Sequence, residues 1–157
     1  VYKRQMLMIA EFDPVHPERL ISEPKCLSRP LYGFENTEHT INNEGPYAFY
    51  YHNKIYLAYS GGDARGYLYA IGMLTANDGD DLCDLSVWEK AKTPIASFAT
   101  IPGEYGPGHN SFFWDRDQNL WIAYHAVTSF EEKIVSSGMR RVYFEQDKTP
   151  RFDVIVE

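Results

Sequence analysis

The apolar positions of this chain fall into short β-favouring runs separated by polar, Gly- and Pro-rich breaks. Met6 to Ala10 is the first such run and predicts a strand. Glu11 to Pro30 follows with Pro14, Pro17, Pro24 and Pro30, which fix φ and cannot donate to a ladder, so it predicts a loop with at most one helical turn near Glu18–Leu20. Leu31 to Thr40 is polar and aromatic without a clear period and leads into a turn at Asn43-Glu44-Gly45-Pro46. Pro46–Tyr51 and Lys54–Ser60 then predict a hairpin across His52-Asn53, because Asn tolerates the positive φ of a tight turn. A third strand is predicted over Tyr67–Leu74. An acidic loop over Asn77–Asp84, a short turn over Leu85–Lys90 and a fourth strand over Ile95–Thr100 follow.

The pattern then restarts. Phe112-Phe113-Trp114 and Leu120-Trp121-Ile122-Ala123-Tyr124-His125 match Phe49-Tyr50-Tyr51 and Ile55-Tyr56-Leu57-Ala58-Tyr59-Ser60 in type, across a turn two residues longer. Further strands are predicted over Arg140–Glu145 and Phe152–Val156, joined at Asp147–Pro150. Each copy is preceded by a glycine- and proline-rich stretch, Asn43-Glu44-Gly45-Pro46 in the first and Gly106-Pro107-Gly108-His109-Asn110-Ser111 in the second. Units of about four short strands recurring at roughly 65 residues are what propeller blades produce, although a β-sandwich also shows short strands with turns between them. In a propeller, equivalent positions of successive blades converge on one end of the axis. The carboxyl of Glu44 and the imidazole of His109 would then share one pocket. Taken alone, Glu44 could equally be a turn carboxylate bonded to backbone amides, and His109 a satisfied core histidine.

Composition narrows the partners. The 157-residue chain has 12 Tyr, 9 Phe and 3 Trp and a net charge of −7. It therefore lacks the basic face that nucleic acid or an anionic membrane surface requires, and no run of about 20 apolar residues is present. No specific protein partner and no organic cofactor are implied. Cys26 and Cys83 have no metal-ligand spacing and read as two separate thiols. The acids Asp13, Asp63 and the Asp78–Asp84 cluster read as solvated loop positions, and His16, His39, His52 and His125 carry no pattern of their own. Val1–Gln5 looks like the translated end of a sequencing-library adapter and is set apart from the expected fold, which runs over residues 6–157.

Asn-Glu-Gly-Pro before a Tyr-rich hairpin, followed by Tyr105-Gly-Pro-Gly-His-Asn-Ser-Phe112, then Tyr124-His125 and a closing Asp-Lys-Thr-Pro turn, resembles the family 43 glycoside hydrolases. The α-L-arabinofuranosidase and β-xylosidase members are the most similar. The resemblance implies an all-β, five-bladed β-propeller of which this chain would hold about the last two blades, the C-terminal part of a catalytic domain. It implies inverting hydrolysis of arabinose- or xylose-containing plant polysaccharides and oligosaccharides. It assigns Glu44 as general acid, His109 beneath the sugar and beside a central calcium ion (Ca2+), and Arg141, with Arg140 as alternate, to sugar hydroxyls. The general base and the carboxylate that tunes the acid would lie upstream, leaving the chain inactive alone. A non-catalytic carbohydrate-binding propeller is the alternative.

Overall fold

The computed structural model describes residues 4–129, 131 and 134–152. Two antiparallel sheets carry the chain. The first runs β5 (Thr40–Tyr51), β6 (Lys54–Gly61), β7 (Ala70–Asn77) and β8 (Glu89–Lys90) in chain order. The second runs β9 (Tyr105–Trp114), β10 (Leu120–Ser129) and β11 (Ile134–Arg141). The predicted repeat is therefore present as two consecutive meanders. Both hairpin turns use left-handed residues. His52 and Asn53 have φ of 46° and 61°, the pair of positive values that a tight two-residue turn needs. In the longer turn Gln118 has φ 61°, and Asp115 accepts from the amides of Asp117 and Asn119 and from the Trp121 indole, which holds its carboxyl down at about 2.

Around this frame, β1 (Arg4–Gln5) pairs in parallel with Ile41–Asn42, and β4 (Asn36–Thr37) also joins β5. Arg4 and Gln5, set apart on sequence grounds, thus take part in the sheet. β2 (Leu7–Ile9) pairs with β3 (Lys25–Ser28), so the proline-rich stretch predicted as loop contains a strand between Pro24 and Pro30. β12 (Tyr143–Phe144) pairs with β13 (Pro150–Arg151). The strand predicted over Arg140–Glu145 is divided at Val142, whose amide donates to the Leu120 carbonyl. Of the strand predicted over Phe152–Val156, only Phe152 lies within the described residues, and it is buried.

The predicted fourth strand over Ile95–Thr100 does not form. Ala96 makes a single bridge to Ile71, after which the Thr100 hydroxyl accepts from the Ser97 amide and donates to the Ser97 carbonyl, curling the chain into a turn. The outer position of the first sheet goes instead to β8, in the segment predicted as a turn. The third strand starts three residues later than predicted, so Tyr67 and Tyr69 precede it. Tyr67 stacks on Tyr105 at 4.7 Å between centroids.

Alternation along β6 explains the packing. Tyr56 and Ala58 face the second sheet and join Phe49, Ile71, Phe112, Ile122 and Phe152 in the main core. Tyr59 points the other way and packs with Leu7 and Leu74. With both faces covered, the run reads as nearly continuous apolar sequence. The innermost strands meet through rings: Phe49 lies 4.5 Å from Phe112 between centroids. Each buried large side chain of this kind contributes roughly 1.5–3 kcal/mol of transfer free energy.

Candidate active site

Both motif stretches lie inside strands, not in turns ahead of them. Glu44 pairs with Ser60, and the register of β5 slips between Glu44 and Tyr47. Gly45, at φ 56°, makes that bulge. The same device recurs in β9, where the register slips twice along its pairing with β10, once on either side of His125. A bulge lets a strand redirect one side chain while its ladder continues, which is how an edge-facing carboxyl and imidazole are presented here.

The bulges bring the motifs together. A Cβ placed on Gly45 would meet the His109 ring at 3.4 Å, so the peptide after Glu44 rests against the imidazole. The His109 amide donates to the Ser60 hydroxyl at 2.7 Å, and Ser60 is Glu44's own ladder partner. His109 takes φ 52° to make that contact. Tyr69, fully buried, donates its hydroxyl to Glu44 Oε1 at 2.9 Å. Burial, followed by the charge of Glu44, pushes the Tyr69 phenol upward, so it remains a donor throughout the ordinary pH range. Behind Tyr69, His125 stacks at 5.6 Å with rings 8° from parallel, and His109 lies 6.3 Å from His125 at 15°. The His125 pKa is lowered, by burial first and by His109 second, against smaller opposing contributions from the Ala64 backbone and Glu44. Its Nε2 is buried without a hydrogen-bond partner among the described residues.

The glycines of the second motif now have reasons. A Cβ on Gly106, which sits at φ 55°, would fall 2.3 Å from the Gly66 carbonyl oxygen. One on Gly108 would fall 2.1 Å from Tyr69 Cε1. Gly108→Ala should therefore displace the ring that holds Glu44 and cost about 1–3 kcal/mol, the usual penalty of overpacking. Chemical denaturation compared with Gly33→Ala, where a Cβ meets nothing within 4 Å and the backbone is not left-handed, checks this.

Arg141 is not brought to this group. It stands opposite Trp121, four ladder positions from Ser137, the partner of His125, and its guanidinium lies 5.1 Å from the centre of the Tyr143 ring. Arg140 is engaged elsewhere, donating to the Tyr124 hydroxyl and to Glu104. Tyr69 and Ser60 are the site residues that sequence reasoning did not single out. Tyr69 had looked like one more strand aromatic, and only the missing Cβ at Gly108 hinted at a ring packed there. His125, set aside on sequence, lies in the middle of the stack.

Calcium prefers several oxygen ligands. Around His109 the chain offers imidazole nitrogens. Among the described residues the only trio of metal-capable groups is Glu11, Asp81 and Cys83, which does not include it. These residues do not by themselves fit a calcium cage.

The two meanders are blades of a β-propeller. An α-L-arabinofuranosidase from Lactobacillus brevis superposes with a TM-score of 0.83 at 28% identity, over 97% of this chain and 48% of that one. An extracellular exo-alpha-(1->5)-L-arabinofuranosidase of Streptomyces avermitilis is 29% identical over 149 residues, covering 90% of this chain and 31% of that protein. Its counterpart from Streptomyces chartreusis is 38% identical over 101 residues, 64% of this chain and 30% of that protein. The family description "Glycosyl hydrolases family 43" matches residues 3–150. The chain belongs to glycosyl hydrolase family 43, and it spans about a third of the length of the curated relatives it matches.

Proposed function

We propose that this chain supplies the proton-donating part of an inverting glycosidase that removes arabinose or xylose units from plant polysaccharides and oligosaccharides, with Glu44 as the general acid. The observation that carries the reading is the placement of Glu44. One carboxyl oxygen is held by the Tyr69 hydroxyl, and the adjoining peptide lies on the His109 ring. A glycosidic oxygen leaves poorly unless protonated as its bond breaks, and a carboxyl held in one orientation beside an imidazole surface can deliver that proton. The arabinofuranosidase names of the relatives support arabinose as the sugar.

Inversion needs a second carboxylate about 6.5–9.5 Å from the first, with water between them. Asp63 is the acid near Tyr69, but its Oδ1 accepts from the Arg65 amide in a turn. We assign the base to a part of the protein outside this chain, so the chain alone should not turn over substrate. His109 then forms the floor under the sugar. The test is incubation of arabinan and xylan with the complete protein while the anomeric proton of the first-formed sugar is followed by NMR. Release of sugar with inverted configuration is expected. Retention of configuration would refute the mechanism, and binding of polysaccharide without any release would favour a non-catalytic sugar-binding propeller.

A further inference from the structure

The two blades share a buried arrangement that the site does not use directly. In the first, the Tyr59 hydroxyl donates to Glu35 Oε1 at 2.8 Å, and the Lys90 ammonium pairs with the same carboxylate. In the second, the Tyr124 hydroxyl donates to Glu104 Oε2 at 2.6 Å, and Arg140 pairs with Glu104 at 3.0 Å. Tyr59 and Tyr124 are equivalent positions of the repeat. Each faces a glycine in exact ladder register, Gly72 and Gly138, where a Cβ would strike the ring at 2.3 and 2.6 Å respectively. In each blade a glutamate from the segment preceding the innermost strand is thus clamped by a tyrosine of the second strand and a cation from further out.

The copies differ in one respect. Glu104 keeps partial exposure and, among the described residues, accepts from Tyr124 and Arg140 and from no side chain of its innermost strand. Glu35 is fully buried and also accepts from the Asn43 side chain at 2.8 Å, while Ser28 donates to the other end of that amide at 2.8 Å. Asn43 immediately precedes Glu44, and the bulge follows at Gly45. The clamp therefore fixes the last regular residue before the carboxyl that Tyr69 receives.

We propose that Glu35 is the positioning residue for Glu44, acting through Asn43, and that the Glu–Tyr–cation clamp is retained in the first blade for that purpose. This rests on Glu44 being the general acid. A displaced acid hurts only the reaction that needs its proton, so positioning and plain stability separate by leaving group. Misplacement by about 1 Å can cost up to about 100-fold in rate.

Two measurements test it. In the complete protein, the Tyr69 hydroxyl proton, slowed in exchange by its bond to Glu44, is followed by NMR in Glu35→Gln and in the control Glu104→Gln. Loss or a shift of that resonance in the first variant alone is expected, and an unchanged resonance overturns the proposal. In the complete protein, Glu35→Gln should lower kcat on an unactivated arabinoside by between about 10- and 100-fold. On an aryl glycoside with an acidic leaving phenol the change should stay within about threefold, and KM should be little altered. Equal losses on both substrates would make Glu35 merely structural. If Glu35→Gln does not fold, Tyr59→Phe gives the same reading, because it keeps the ring and the ion pair and removes one bond to the carboxylate. Glu44→Ala run in parallel separates the two claims. If that variant shows no dependence on leaving group, the general-acid reading fails, while the Tyr69 resonance still decides the clamp.

Discussion

Glu44→Ala should lower hydrolysis of an unactivated arabinoside by about 10²–10⁴-fold, the range that positioned proton transfer supplies. On a substrate whose leaving group departs without a proton, the same variant should lose about tenfold or less. The contrast follows from geometry. On the proposed assignment, Glu44 contributes a proton at one oxygen of the scissile bond, and the His109 floor under the sugar remains in place. The pH–rate profile gives an independent readout. Its falling limb at higher pH reports ionisation of the acid and should disappear in the variant. Loss of comparable size on both substrates, with a profile of unchanged shape, would show that Glu44 holds the bulge together and does not donate. Circular dichroism and unfolding of the variant separate these outcomes, since Glu44 is only half-buried and its removal leaves the His109 amide bonded to the Ser60 hydroxyl.

Lys90→Met should strongly destabilise the first blade. Glu35 is fully buried, and Lys90 is the only cation paired with it among the described residues. The ammonium also donates to the Arg29 carbonyl at 2.8 Å and lies 5.1 and 5.2 Å from the centres of the Tyr32 and Tyr59 rings. Removing one partner of a buried pair leaves an uncompensated charge and costs about 3–5 kcal/mol, much of a typical domain's total stability. The pH dependence gives the assignment its sign. Burial alone would raise the Glu35 pKa, but the Lys90 bond, the Tyr32 amide, Tyr59 and Asn43 together outweigh it, and the net shift is downward. In the parent chain this contribution is complete above the pKa of a solvated glutamate, about 4.3, and fades as pH falls through the lower folded value. In Lys90→Met the desolvated carboxyl instead takes up a proton readily, so the penalty is greatest near neutrality and shrinks as pH falls. Denaturant melts at pH 7.5 and pH 5 should therefore converge for the variant and its parent. A constant gap would mean that Lys90 stabilises through its aliphatic stem and ring contacts.

The repeat and the two motifs were legible in the sequence because each depends on local chemistry. His52-Asn53 permits a left-handed turn, and the aromatic runs on either side can only bury themselves as strands. What was not legible depends on partners distant in the chain. Ile95–Thr100 has strand composition, yet Ser97 and Thr100 satisfy each other and remove the segment from the ladder. The motif glycines announced close approach but not what approached, which proved to be Gly66 and Tyr69. Asn43-Glu44-Gly45-Pro46 read as a turn because glycine and proline usually end strands. A bulge uses the same residues to bend a strand without ending it, and periodicity cannot distinguish the two. The resemblance points to Arg141, and its place opposite Trp121 in the ladder is set by register, which position along the chain does not reveal.

His109 occupies a left-handed backbone position inside a strand. For most residues other than glycine that conformation costs on the order of 1–2 kcal/mol, and it is supported here by the Ser60 hydroxyl and the flat surface of Gly45. With His109 assigned to the floor under the sugar, selection for thermal tolerance and selection for sugar handling would act in opposite directions at this one position. Residues that relax the backbone there discard the imidazole, and the ring is kept only while its placement is worth more to the organism than the stability it forgoes.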